Sequence, residues 1–459
     1  METLHSTKLS SELTFFEEDF INDAIMSKSL EPKHPVTNIG ENTSSPIDFN
    51  IDGSERAIRP SQCFIQINAS LIGKKTVVTP ATSTSTATTV RTDVIENRVH
   101  CGIINNIGHA LFSKMSLKIG NREISSIADY PYVSYINTRL NFNKSNLDSY
   151  ARLSGWLADK PVVAEINNTD STADGTLKKR KAWFGRTNNN IDLVIQPFLP
   201  IFMMDKVILP FIPISVRLER VTNPHFYLQF PDPLVNETVD YRIQINSAVF
   251  YTQYLELTPE YSIGLEKMLT RQTKPAIYKM TEPQILVYNV PPQLSLFSVN
   301  NLFNGSLPEK ILIMFVTSAA YNGNNLLNPF NFTNADIRNI GLFRNGVPYP
   351  HPVIDINFNQ KNYAIAYYNT LTALQAPSPA GPCLTLDEFV TGTTIFAFDT
   401  SPDSSGVQMS ALTNRTTNIR LEVKFGTAPV EPLVCLVYYE RELRVAVDGQ
   451  RNVSTEILF

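Results

Sequence analysis

The sequence predicts an all-β double jelly-roll: two tandem eight-stranded β-sandwiches, with short helices in the connections and an N-terminal arm. Short apolar runs, some strictly alternating and some continuous, recur between turn residues along most of the chain. Thirty prolines against nineteen glycines, with many Val, Ile, Phe, Tyr and Thr, favour short strands over long helices. The same order of features also occurs twice. Each half shows an alternating strand, a turn, a proline (Pro60, then Pro308) and a buried strand, and later a hairpin turn (Gly120-Asn121, then Asn345-Gly346). Pro60 and Pro308 lie 248 positions apart and Gly120 and Gly346 lie 226 apart, so two similar β-units of roughly 200 residues are the simplest account. Periodicity alone also admits two immunoglobulin-like sandwiches, but units of this length are too long for them. Short strands, Pro-rich turns and long loops suit jelly-rolls.

Residues 1–45 are expected as an arm. Within it, Thr14 to Lys28 spaces Phe16, Phe20 and Ala24 at helical intervals, with Ile21 and Ile25 one face over and Glu17, Glu18 and Asp19 in the first turn, where negative charge suits the helix dipole. Such a helix either packs on its own domain or docks on a neighbouring subunit or inner layer. The first β-unit is expected over 46–257. Ile47 to Ile51 alternates and turns at Asp52-Gly53, and Cys63 to Ala69 follows. Thr76 to Thr92, rich in Thr, Ser and Ala, reads as an exposed loop. Asn105 to Lys114 leads by a short helix or turn into the Met115 to Ile119 strand, and Ala128 to Ser149 holds a helix through Val133, Ile136 and Leu140. Lys160 to Arg186 is a polar insertion, after which Ile191 to Ile201, Ile214 to Val221 and Tyr241 to Tyr254 complete the unit.

Residues 258–283 read as a linker with a short helix, 284–445 as the second unit and 446–459 as a tail. In the second unit Gln284 to Val290 is the opening strand. Lys310 to Thr317 (KILIMFVT) is apolar at nearly every position, as a strand buried on both faces requires. The stretch from Ala319 to Pro350 passes through an Asn-rich loop and Asn328-Pro329-Phe330-Asn331-Phe332 into the strand Ile337 to Phe343. It then turns at Asn345-Gly346, the dipeptide favoured by a type I′ turn with φ > 0 at both central residues. Asn362 to Leu371, Thr393 to Phe398, Asn418 to Phe425 and Leu433 to Tyr439 are read as the later strands.

With 459 residues the chain is long enough for two or three domains, and 43% hydrophobic residues can fill full-sized cores. A net charge of −4 argues against polyanion binding by the chain as a whole. Only 18% of residues are charged, below the usual ~25%, as in proteins that hide surface in assemblies. Met1 to Leu13 shows no basic and apolar leader pattern, and no run reaches the ~18 apolar residues of a spanning helix. The sequons Asn68-Ala69-Ser70 and Asn331-Phe332-Thr333 are therefore expected to stay unmodified.

No catalytic, cofactor-binding or metal-binding residues are assigned. Cys63, Cys101, Cys383 and Cys435 are scattered without a CxxC and read as buried free thiols. His5, His34, His100, His109, His225 and His351 have no partner at metal-binding spacing; His109 reads as a satisfied structural histidine. GxSxG, GxGxxG, Walker A and HExxH are absent. Asp399 and Asp403 have the spacing for a loop-bound cation but read as a solvated turn. Lys178 to Lys181 is a solvated loop, a nuclear localisation signal or a nucleic-acid contact. Carboxylates paired from separate strands, as a β-sandwich hydrolase would need, leave no sequence signature.

Several segments, in order, resemble the major capsid (hexon-like) proteins of Polinton/Maverick elements and adintoviruses. They are Ser45-Pro46-Ile47-Asp48-Phe49, the Asn105 to Ser113 segment (NNIGHALFS), Tyr130-Pro131-Tyr132, the Asn301 to Pro308 segment (NLFNGSLP), and AYNG followed by NPFNF and the Asn-Gly hairpin. The resemblance spans about residues 45–350. It implies a structural protein without enzymatic activity or cofactor: a double jelly-roll that forms a homotrimer of pseudo-hexagonal outline and tiles an icosahedral shell. It also implies contacts between capsomers and with penton or minor capsid proteins, no sequence-specific nucleic-acid contact, synthesis in the host cytoplasm and assembly in the nucleus. The alternative is a receptor- or carbohydrate-binding β-sandwich, such as a minor capsid or spike protein, with aromatic platforms near Trp156 or Trp183.

Overall fold

The structure, a computed structural model, describes residues 24–39, 45–79, 88–93, 101–157, 159, 180, 190–230, 237–271, 274–303, 307–374, 384–401 and 418–457, and the statements below concern these. The strands of the two halves are numbered here in chain order. The first half holds β1 (Ile25–Lys33), β2 (Ile47–Ile51), β3 (Phe64–Thr79), β4 (Phe112–Ile119), β5 (Arg122–Ile127), β6 (Asn190–Ile195), β7 (Ile214–Arg220) and β8 (Glu237–Leu257). The second holds β9 (Ala276–Val290), β10 (Leu296–Val299), β11 (Lys310–Thr317), β12 (Ile337–Arg344), β13 (Val347–Pro348), β14 (Phe396–Asp399), β15 (Ile419–Phe425) and β16 (Leu433–Val447).

The first half pairs its strands as β1-β8-β3-β6 in one sheet and β2-β7-β4-β5 in the other. The second half pairs β9-β16-β11-β14 and β10-β15-β12-β13. Each of β1 to β8 thus has its counterpart eight places later, in the same sheet position. First-with-eighth, third-with-sixth, second-with-seventh and fourth-with-fifth pairing is the Greek-key winding of a jelly-roll. The chain is a double jelly-roll, and the repeat read from the prolines and hairpins is this repeat: Pro60 and Pro308 lead into β3 and β11.

Alternation sets which face looks inward. Ile47, Phe49 and Ile51 on β2, Ile65, Ile67, Ala69 and Leu71 on β3, and Ile214, Val216 and Leu218 on β7 are all buried. Phe49 and Phe250 meet across the first sandwich, with ring centroids 5.7 Å apart, and Phe315 and Phe425 meet edge-on across the second at 6.0 Å. Two hairpins sit at equivalent places. Ile119 pairs Arg122 around Gly120-Asn121, with Gly120 at φ 61°, and Arg344 pairs Val347 around Asn345-Gly346, with φ of 51° and 84°. The second has the positive φ at both central residues that Asn-Gly predicted.

Several expectations are corrected. The helical reading of Thr14 to Lys28 fails from Ile25 onward, where the chain is β1, an edge strand on β8; its residues 14–23 lie outside the described residues. Pro32 fits that edge, where one side of the strand needs no donor. Thr76 to Thr92 is not a plain loop: β3 runs to Thr79 and Thr88–Asp93 pairs back on it, since β-branched Thr and Val suit extended backbone. Asn362 to Leu371 is not a strand but belongs to a helix, Ala364–Ala373, which buries Ala366, Thr370 and Ala373 at helical spacing. β9 begins at Ala276, inside the expected linker, and pairs with β16 out to Val447. In the expected tail, Val453–Ile457 pairs with residues 443–447 of β16.

Candidate functional site at the seam between the two rolls

Sequence positions with chemical potential do not converge. Among the described residues no group of three His, Cys, Asp or Glu side chains is placed to hold a metal ion. His109 is buried, its Nδ1 shares a hydrogen bond with the Tyr130 hydroxyl at 2.9 Å, and burial lowers its pKa to about 3. That hydroxyl in turn accepts from the Phe198 amide at 3.1 Å, so His109 is the satisfied structural residue expected. His351 stacks on Phe398 and His225 lies beside Phe230, far from any shared centre. Asp399 closes a turn by accepting from the amide and hydroxyl of Ser401; Asp403 lies outside the described residues. Cys63, Cys101 and Cys435 are buried and joined by no disulfide among the described residues, and burial pushes the Cys63 thiol up to about 11. Cys383, Trp183, His5 and His100 lie outside the described residues. Two cavities, of about 310 and 660 Å³, have no carboxylate among the described residues of their lining.

What does converge is the seam between the rolls. β11 carries it. Ile311, Ile313 and Phe315 point into the second sandwich, while Leu312, Met314 and Val316 join the hydrophobic cluster continuous with the first. β16 divides the same way, with Leu433, Cys435 and Val437 on one side and Val434, Leu436 and Tyr438 on the other. The outer face of the β9-β16-β11-β14 sheet is thus an interior face, which is why KILIMFVT is apolar throughout.

Against that face lies helix α1 (Tyr130–Asn141), of which every residue from Tyr130 to Leu140 is buried. The loop after β11 inserts its aromatic residues beside it. Phe330 stacks on Tyr135 at 4.3 Å, Tyr321 stacks on Tyr132 at 5.6 Å, and Phe332 meets Tyr135 edge-on at 5.8 Å. Trp156 packs on the other side of Tyr135 at 5.2 Å and is only 2% exposed, so it is no aromatic platform. The NPFNF segment keeps its shape because the Asn328 side chain accepts from the Phe330 amide at 3.0 Å.

Polar bridges pin this contact. The Tyr321 hydroxyl donates to Asp129 at 2.8 Å; burial raises the Asp129 carboxyl and that bond partly offsets it. Arg139 on α1 pairs with Glu388 of the second roll. Asp159 is held by the Arg180 guanidinium at 2.6 Å and accepts from the Asn328 side-chain Nδ2 at 3.0 Å. Arg180 also donates to the carbonyls of Ile103 and Leu157, both at 2.8 Å, and its side chain is 1% exposed. The one described member of the Lys178 to Lys181 run is therefore a buried structural residue rather than part of a solvated loop. Fully buried Glu282 pairs with Arg441 and accepts from the Ser126 amide of the first roll at 3.3 Å. Sequence reading missed Arg139, Asp159, Arg180, Glu282 and Glu388. Apolar alternation marks faces, but nothing local marks which charge meets which across two domains.

No established family profile matches the sequence. A curated relative, uncharacterized protein F54H12.2 of Caenorhabditis elegans, is 23% identical over 354 residues, 76% of this chain and 80% of its own. Among solved structures, a chain of the cryo-EM structure of the Sputnik virophage superposes with a TM-score of 0.64 at 13% identity, covering 98% of this chain and 92% of its own. The Faustovirus major capsid protein gives 0.61 at 9% identity, over 95% and 92%. The mavirus major capsid protein gives 0.54 at 10% identity, over 100% and 95%. At such identities the likeness is one of fold, and it runs through both rolls.

Proposed function

We propose that this chain is a major capsid subunit that trimerises into pseudo-hexagonal capsomers and tiles an icosahedral viral or virus-like shell. One observation carries the reading: two copies of the same eight-stranded winding are fused through a sheet buried on both faces. Such a body presents two similar outer profiles at a fixed angle, and three of them around an axis give six similar lobes. Major capsid proteins of two viruses share the fold over nearly their whole length. The ordered segments shared with Polinton/Maverick and adintovirus capsid proteins support that finer assignment.

The surface supports self-association. The helix Ala364–Ala373 carries no charged residue, and its Ile365 and Tyr368 are about two-thirds exposed. A solvated helix face is normally charged; an uncharged one with exposed apolar groups suits contact with another copy. On this reading the role is structural, without catalysis or cofactor. The partners are further copies and penton or minor capsid proteins. The protein resides in the virion capsid after synthesis in the cytoplasm and assembly in the nucleus. Negative-stain averages of the purified full-length protein test it. Hexagonal views are expected, and averages showing only isolated two-lobed particles would overturn it.

A further inference from the structure

We propose that the groove between the inter-roll linker and the first roll is filled by this chain's own N-terminal arm, with Phe16, Phe20 and Ile21 seated in it. The groove has a volume of about 660 Å³. Its walls are Ile208 and Leu257 of the first roll, Tyr261 and Leu265 of the linker helix α2 (Pro259–Glu266), and Ile277 at the start of β9. No residue of α2 is buried, and its Tyr261 and Ile263 are 51% and 56% exposed. Leu265 packs against the hydrophobic core and Arg451 pairs with Glu266, but Tyr261, which lines the groove, is left half exposed on a helix too short to be stable without tertiary packing.

The chain itself points to the occupant. Ala24 and Ile25, the first described residues, line the groove, and the Ala24 carbonyl accepts from the Thr258 amide at 3.0 Å. The described residues therefore begin at the groove. Phe20 is four residues from Ala24, and even a fully extended chain reaches only about 14 Å over that length. Within that radius lies the apolar surface just described, while most of the molecule lies beyond it. Glu17, Glu18 and Asp19 lie between the arm's apolar residues; Lys206 lines the groove, and the helix beside it carries Glu260 and Glu266 as well as the neighbouring Lys267 and Lys274, so the apolar contact rather than net charge makes the fit. Seated this way, the arm clamps the linker and fastens the start of the second roll to the first. The proposal does not depend on the capsid reading and is tested on unassembled protein.

The test replaces Phe20 with a benzophenone-bearing residue in the full-length chain. An equal mixture of unlabelled and ¹⁵N-labelled protein is irradiated, and the crosslinked peptides are mapped. Crosslinks within single chains to residues 206–210, 255–266 or 276–278 are expected. Mixed-isotope crosslinks, or crosslinks elsewhere, would overturn the proposal. In parallel, Phe16→Asp/Phe20→Asp should speed deuterium exchange of the α2 amides several-fold and leave β8 and β9 unchanged. Unaltered α2 exchange would also overturn it.

Discussion

At the scale of single residues, the seam makes the sharpest demands. Phe330→Ala removes a stacked ring from a filled site, so it should cost about 3–5 kcal/mol in denaturant unfolding. Arg139→Met leaves the largely buried Glu388 carboxylate with only the amide and hydroxyl of Thr385 as donors and should cost about 3–5 kcal/mol, whereas the double variant with Glu388→Gln, which removes the charge and keeps an acceptor for the cap, should recover most of the loss. Equal losses in the single and double variants would show that the pair is not coupled. His109 makes stability pH-dependent. Its folded pKa of about 3 lies below the ordinary value, so between pH 6.5 and 3 the unfolded chain takes up a proton that the folded chain refuses. Stability therefore falls on acidification, and His109→Gln should flatten that fall by about 1.4 kcal/mol per pH unit over the window. Asp129, whose carboxyl is raised by burial, works in the opposite direction and is untouched by the substitution. Asn345-Gly346 was legible because its turn is decided by two adjacent residues. Arg180 was not, because a run of four basic residues says nothing about Asp159 or the carbonyl of Ile103.

At the scale of elements, β11 was readable for a physical reason. A strand covered on both faces cannot alternate, and KILIMFVT does not. Met314→Ala, on the seam face, should therefore cost as much as a core truncation, about 2–5 kcal/mol. A loss within 0.5 kcal/mol would mean that this face is not truly covered. Gly346→Ala meets nothing within 4 Å at its Cβ, yet φ is 84°, so it should cost about 1 kcal/mol of backbone strain alone. The helix Ala364–Ala373 was misread because a short run of Ala, Ile, Tyr and Leu fits either period, and the sheet it packs on, not its own sequence, decides. β1 was misread because spacing that fits a helix over Phe16, Phe20 and Ala24 does not reveal that β8 offers an open edge a residue later.

At the scale of the whole molecule, the two rolls form one body. A hydrophobic cluster runs from the first sandwich through the outer face of the second, and the pairings among β1 to β8 recur among β9 to β16. The repeat was visible in the sequence through its prolines and hairpins, while the docking angle was not, since it depends on aromatic and ionic contacts between distant segments. If the uncharged face of the helix Ala364–Ala373 meets another copy, Ile365→Asp/Tyr368→Asp should lower the oligomeric fraction at least tenfold and leave the melting temperature of the isolated chain within a few degrees. The central claim is that three such bodies associate, and the mass of the purified full-length protein by multi-angle light scattering tests it most directly. A stable species near three times 51.5 kDa is predicted. A monomer that persists at high concentration would contradict it.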